Sequence, residues 1–301
     1  MKTFMRPLPF AVLVVALALP WSVAAQQAFP TPEAAADAFV KALGAERADP
    51  AALATLLGKD WREFVPTEGV DRADVDAFLA RYRERHAIEH RADGKAELSV
   101  GSDAWTLPLP LSKGGDGWRF DTRAAVEEIR IRRIGSNELA AADSVRAYHD
   151  AQMDYAEQDH DDDGVLEYAQ KFISTDGYHD GLFWSDDDSG QISPLGPLFG
   201  DATPGGEWHG YHFRILDVQG ASAPGGAYDY MLGDNMSRGF AVIAWPAKYG
   251  DSGVMSFMIS HDGQVFEKDL GPQGEKLAKA MKAFDPDSSW SEVKADATAA
   301  R

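Results

Sequence analysis

The chain has 301 residues, 45 % of them hydrophobic and 11 % aromatic, enough to bury one large core or two ordinary ones. Its formal charge is −19, so its surface repels nucleic acid and anionic lipid; solubility is the simplest reading of that charge and cation binding the sharper one. There is no cysteine, which excludes disulfides, thiolate nucleophiles, zinc–thiolate sites and a lipidated N-terminal cysteine.

In chain order, Lys2 and Arg6 precede an apolar run from Phe10 to Leu19, followed by Val23-Ala24-Ala25. A charged start, a short apolar stretch and small residues predict an export signal over 1–25, cut before Gln26. The run is too short to span a bilayer, and no later segment is long enough. The mature protein is expected in a periplasm or outside the cell, with no membrane span.

Residues 26–135 read as an N-terminal α+β domain. Thr31 caps a helix with Pro32 in its first turn, an apolar stripe at Ala35, Phe39 and Leu43, and a stop at Gly44. Asp49-Pro50 repeats the device before Leu53, Leu56, Leu57 and Gly58. Val75, Phe78, Leu79 and Tyr82 mark a third helix by their spacing of three and four, with Arg81, Arg83, Glu84 and Arg85 on its solvated face. Strands follow at 96–100, 104–109 and 118–120, the last pair turned by Gly114-Gly115-Asp116-Gly117. Helices followed by a curled antiparallel sheet resemble the nuclear-transport-factor-two type of cone, a likeness of shape that carries no function.

Val126 and Ile129 predict a connecting helix ending near Gly135, and Asn137 is expected to cap a separate long helix. That helix carries Leu139, Ala142, Val145, Tyr148, Ala151 and Tyr155 and opens a C-terminal domain over 136–293. A Gly- and Pro-rich stretch over 185–210 is long enough to suggest a working loop. Strands are expected at 211–218, with Tyr211, Phe213 and Ile215 on one face, and at 240–245, 254–260 and 265–268. Asp262-Gly263 predicts a tight hairpin with both central residues at positive φ. A closing helix bears Leu277, Met281 and Phe284 and stops at Asp285-Pro286, with Trp290 pinning the return and a flexible tail over 294–301. The fold class is therefore α+β: N-terminal helices with a curled antiparallel sheet, then a long helix packed on a second antiparallel sheet.

Several stretches together resemble a bacterial exported family known only as domain-of-unknown-function family 2950. They include Gly135-Ser136-Asn137-Glu138, the run Ser193-Pro194-Leu195-Gly196, Gly210-Tyr211-His212-Phe213-Arg214-Ile215-Leu216 and Ala223-Pro224-Gly225-Gly226-Ala227-Tyr228-Asp229-Tyr230. Further matches are Gly239-Phe240-Ala241-Val242-Ile243-Ala244-Trp245-Pro246, Tyr249-Gly250, Gly253-Val254-Met255-Ser256-Phe257 and Phe284-Asp285-Pro286-Asp287. The resemblance implies secretion and a shared fold, and no activity. The helix, loop and antiparallel sheet of the C-terminal part are also faintly similar to the globular heads of type IV pilin-like proteins. The domain preceding that helix and the removable signal depart from the filament-forming pattern.

One stretch carries metal chemistry. Asp159-His160-Asp161-Asp162-Asp163-Gly164-Val165-Leu166-Glu167 follows the first nine positions of a helix-flanked calcium loop. Asp159, Asp161 and Asp163 would supply carboxylates, Val165 a carbonyl and Glu167 a water-mediated contact, with Gly164 at the sharp turn and Leu166 as apolar anchor. Gln170 stands where a bidentate glutamate is expected, which weakens such a site to roughly the 10⁻⁴–10⁻³ M of extracellular modules. An acidic turn ending a helix is the simpler alternative. Asp186-Asp187-Asp188 is read as a solvated turn. His209 and His212, three apart in an extended segment, point to opposite faces and share no metal.

Trp184, Trp208, Tyr211, Trp245 and Tyr249 gather around the long loop. Strand periodicity assigns such rings to core packing, whereas rings beside acids and amides also suit sugar faces. Trp184, Trp208, Tyr228 and Tyr249 are the candidates for ligand contact. No H-E-x-x-H, G-x-S-x-G or S-x-x-K motif is present. The expected role is a non-catalytic envelope or secreted protein binding a partner protein or glycan, with calcium in the acidic loop. The alternative is an exported carboxylate-dependent hydrolase of cell-wall or other glycans, for which the 48 acids single out no pair.

Overall fold

The computed structural model describes residues 26–67, 70–185, 191–196 and 206–294. The expected export signal, the acidic turn at Asp186–Asp188 and the tail beyond residue 294 lie outside them. The chain divides into two compact units, one ending at Val126 and one beginning at Glu127.

In the first unit, α1 (Pro32–Leu43) starts where Thr31 accepts a hydrogen bond from the Ala34 N–H, and α2 (Pro50–Leu57) starts where Asp49 caps Ala51 and Ala52. Asp71 and Asp74 form a reciprocal capping box at the head of α3 (Arg72–Glu84). Each cap satisfies helix N–H groups that have no partner within the helix. The sheet runs β1 (His86–His90), β2 (Ala96–Val100), β4 (Leu111–Gly114), β5 (Gly117–Phe120), with β3 (Trp105–Thr106) beside β2. Every residue of β2 is buried, including Glu97, which pairs with Arg91. Phe39 packs against both Phe78 and Phe120, joining α1 and α3 to the sheet. The strand expected at 104–109 is only two residues long. The edge strand β1 has no apolar alternation to announce it, because His86, Glu89 and His90 leave it half-exposed.

The expected helix break at Gly135 does not occur. A single helix, α4 (Thr122–Tyr155), runs for 34 residues. One glycine costs a helix only about 1 kcal/mol, and Arg132, Arg133, Glu138, Leu139 and Ala140 on either side are good helix formers. Asn137 is accordingly no cap: its side-chain amide donates to the Ser252 carbonyl at 2.8 Å. The next residue, Glu138, accepts from the Val254 and Met255 N–H groups with one oxygen.

The second unit has an antiparallel sheet in the order β12 (Ser291–Glu292), β11 (Val265–Asp269), β10 (Met255–Ser260), β9 (Ala241–Pro246), β6 (Tyr211–Leu216). All six residues of β9 are buried, as expected of a central strand covered on both faces. Ala141, Val145, Tyr148, Ala151 and Tyr155 of α4 enter the same core as Val242, Ile243, Phe257 and Met258. A two-stranded ribbon pairs β7 (Val218–Gln219) with β8 (Tyr228–Asp229). The β10–β11 connection differs from the expected tight turn. Ile259 pairs with Val265, five residues intervene, and Gly263 alone of them has positive φ, at 79°. The closing helix α5 (Gly274–Ala280) ends before Met281, and Phe284 lies beyond it, buried, with its N–H on Val218 O. The N–H of Met281 already turns back to Leu277 and Ala278, closing the last turn.

Candidate metal centre

The last turn of α4 delivers the chain into the acidic loop, and the carboxylates of Asp159, Asp161 and Asp163 converge. One oxygen from each lies within 4.8 Å of the others, and the trio could hold a metal ion. The loop arranges itself through its own backbone. Asp159 Oδ2 accepts from the Gly164 N–H at 2.8 Å, Asp161 Oδ1 from Asp163 N at 3.2 Å, and Asp163 Oδ1 from Val165 N at 2.8 Å. Gly164 adopts φ 87°, which a side chain would strain, so the turn that brings Asp159 back over the loop calls for glycine. The Gly164 N–H, more than any other contact, holds the Asp159 carboxyl below its ordinary range.

Two expectations for this loop fail. Residues 165–169 form neither helix nor strand and no helix follows among the described residues up to 185, so the loop is flanked by a helix on one side only. Leu166, expected as an apolar anchor, is 57 % exposed, since there is no helix pair for it to join. In place of a second helix, Tyr168 N–H donates to Met236 O, and Gln170 donates to Asp234 O. Val165 sits on the exposed side of the turn.

Glu167 does not belong to the converging trio, yet it feels it. Burial, followed by the negative charge of Asp161, raises its carboxyl above the ordinary range, and Asp163 and Asp159 add to the effect. One oxygen, Oε2, is buried without any hydrogen-bond partner. A neighbour that sequence reasoning missed is Asn235, whose amide donates to Asp163 Oδ2 at 2.6 Å. It lies 72 residues along the chain, too far for any spacing argument to connect it.

Trp184 and Trp208 line two cavities that share Asp154 and Pro194, and neither cavity includes Tyr228 or Tyr249. Trp184 is 8 % exposed, stacks on His179 at 4.3 Å between ring centres, and donates from its indole to Gln191 O. It lines a cavity of about 560 Å³ with Asp154, Glu157, Gln158, His160, Gln191 and Ser193. His160 joins this cavity to the acidic loop; its ring stacks on Tyr155, and burial lowers its pKa. Trp208 lines a different cavity, beside His209 and the Ala140, Ser144 and Ala147 face of α4. Tyr228 donates its hydroxyl hydrogen bond to, or accepts one from, His261 Nε2 at 2.8 Å, and Tyr249 donates to Asp269. Tyr211 and Trp245 are core residues. His209 lies in a turn with φ 48° while His212 stands on β6, and among the described residues the aspartate trio is the only such grouping of potential metal ligands.

Fold and site together define a two-unit α+β protein with a converging aspartate loop at the end of its long helix. Over residues 26–293 the chain matches the family described as protein of unknown function (DUF2950), and it belongs to that family. No curated protein matches it. No solved structure matches it either.

Proposed function

We propose that this chain is an exported, non-catalytic binding protein, periplasmic or extracellular. Its second unit holds calcium in the loop from Asp159 to Glu167 and meets an envelope protein or a glycan close by. The convergence of Asp159, Asp161 and Asp163 carries the reading. Three hard oxygens at alternating positions, turned by a glycine, suit an ion that takes six to eight oxygen ligands. Val165 would add its carbonyl and Glu167 a water-mediated contact. The raised Glu167 carboxyl supports the same view, because a divalent cation would offset the repulsion it suffers. The Trp184 cavity supports the glycan, offering an indole beside Asp154, Gln158, Gln191 and Ser193. Among the described residues the acids lining this cavity, Asp154 and Glu157, lie in one turn of chain, which does not favour the opposed carboxylates the hydrolase alternative needs. Trp208, Tyr228 and Tyr249 stay secondary candidates. A long helix followed by an antiparallel meander supports the pilin-head likeness, again as a proposal.

Melting the purified chain with millimolar calcium, then with a chelator, tests the ion: a ligand that binds only the native form raises the transition by mass action. The rise is expected in the wild type and not in Asp161→Asn/Asp163→Asn. An unchanged transition at millimolar calcium overturns the calcium reading. Intact mass of the cell-free product should begin at Gln26; product retaining Met1 in the cytosol overturns export.

A further inference from the structure

The unit ending at Val126 contains a cavity of about 640 Å³ whose lining reverses the charge of the chain. Lys59, Lys113, Arg119 and Arg123 line it against Asp60 and Asp121, in a molecule of net charge −19. Not all of these charges are available. Arg119 is engaged by Asp116, and Asp121 accepts from Ser112 Oγ and Ala124 N and lies 4.0 Å from Lys95 Nζ. Lys59, Lys113 and Arg123 have no carboxylate partner among the described residues. Arg123 instead lies over the Phe64 ring, 5.6 Å from its centre, and Lys113 over Trp118. Asp60 is the one acid left facing them.

The same cavity receives the N-terminus of the 34-residue helix α4. Asp121 satisfies Ala124 with its side chain and Ala125 with its carbonyl. No acceptor among the described residues takes the N–H of Thr122 or Arg123. Thr122 is only 8 % exposed and lines the cavity, and no described residue takes its hydroxyl in a hydrogen bond. N–H groups without a helical partner, the positive end of a helix dipole and the Thr122 hydroxyl in the cavity lining make an anion seat. Beside it the wall is apolar: Leu57, Phe64 and Phe120. A bare ion would leave that wall wet, and the volume suits a small organic molecule.

We propose that this cavity binds a small amphiphilic anion, its carboxylate or sulfonate seated at Thr122, Lys59 and Arg123 and its apolar body on Leu57, Phe64 and Phe120. The proposal is independent of the calcium loop, which belongs to the other unit. The test titrates the full chain with anilinonaphthalene sulfonate, whose fluorescence rises on leaving water, and displaces it with octanoate and with inorganic phosphate. Octanoate should displace the probe and phosphate should not at equal concentration. Lys59→Gln/Arg123→Gln should weaken binding about tenfold or more, as expected for loss of charge-assisted contacts. Thr122→Val should weaken it without changing the probe's emission maximum. Should a variant fail to fold, wild-type affinity must still fall as salt is raised from low to physiological strength. Binding unaffected by both substitutions and by salt, or displacement by phosphate as efficient as by octanoate, overturns the proposal.

Discussion

Tyr211 and Gly253 show how closely single residues determine the second unit. A Cβ at Gly253 would collide with the Tyr211 hydroxyl, which donates to Met255 O at 2.8 Å. Gly253→Ala should cost about 1–3 kcal/mol by overpacking, and Tyr211→Phe about 1 kcal/mol for the hydrogen bond, both read from urea unfolding. Glu167 gives a prediction in pH. Its folded pKa lies above the unfolded value of 4.5, chiefly through burial. The folded chain therefore keeps that proton where the unfolded chain has lost it, and stability falls as pH rises from the ordinary glutamate value into the raised one. Glu167→Gln should flatten this part of the stability–pH curve. Calcium needs the ionised carboxylate, so its affinity should rise across the same window. Denaturant midpoints over a pH series, with and without calcium, check both signs.

Among the elements, α4 departs most from expectation. Gly135 and Asn137 form a good stop-and-cap signature, and the helix runs straight through them. Tertiary partners explain this: Asn137 and Glu138 are occupied by the 252–255 segment, and Arg130 and Arg133 bind Gly250 and Asp251 just before it. The family-like stretches Gly135–Glu138 and Gly250–Met255 are thus two sides of one contact, which gives them a structural meaning without chemistry. Nothing lies within 4 Å of a Cβ placed on Gly135, and its φ is not positive. Gly135→Ala should therefore stabilise the chain by about 0.5–1 kcal/mol, seen as a higher thermal midpoint by circular dichroism. A chain stop at this position would give the opposite sign. The acidic loop tells a similar story. Its first half folds by local hydrogen bonds and was legible, while its second half is directed by Tyr168, Gln170 and Asn235 onto residues 234–236 and was not.

At the scale of the molecule, a net charge of −19 makes self-repulsion a general term in stability. Sodium chloride at physiological strength should raise the melting temperature over that in dilute buffer, because the Debye length shrinks from about 30 Å at 0.01 M to about 8 Å. Calcium should add a further rise at constant ionic strength, and magnesium should not match it, since its smaller octahedral shell fits a flexible all-oxygen loop poorly. Equal effects of the two ions at matched ionic strength would reduce the calcium term to screening.

The residues alone determined the α+β class, the caps at Thr31 and Asp49, the four main strands of the second sheet and the spacing of the aspartates. Each is dictated by forces acting over a few residues: side-chain-to-backbone capping, alternation on a pleated strand, a turn that only glycine makes easily. The fate of Gly135, the exposure of Leu166, the placing of the four aromatic rings and the basic cavity at the head of α4 came from contacts between residues far apart in the chain, and the edge strand β1 from its pairing with β2. Such contacts leave no period or spacing in the chain, because they depend on which faces meet once both elements exist, and burial there outweighs local preference.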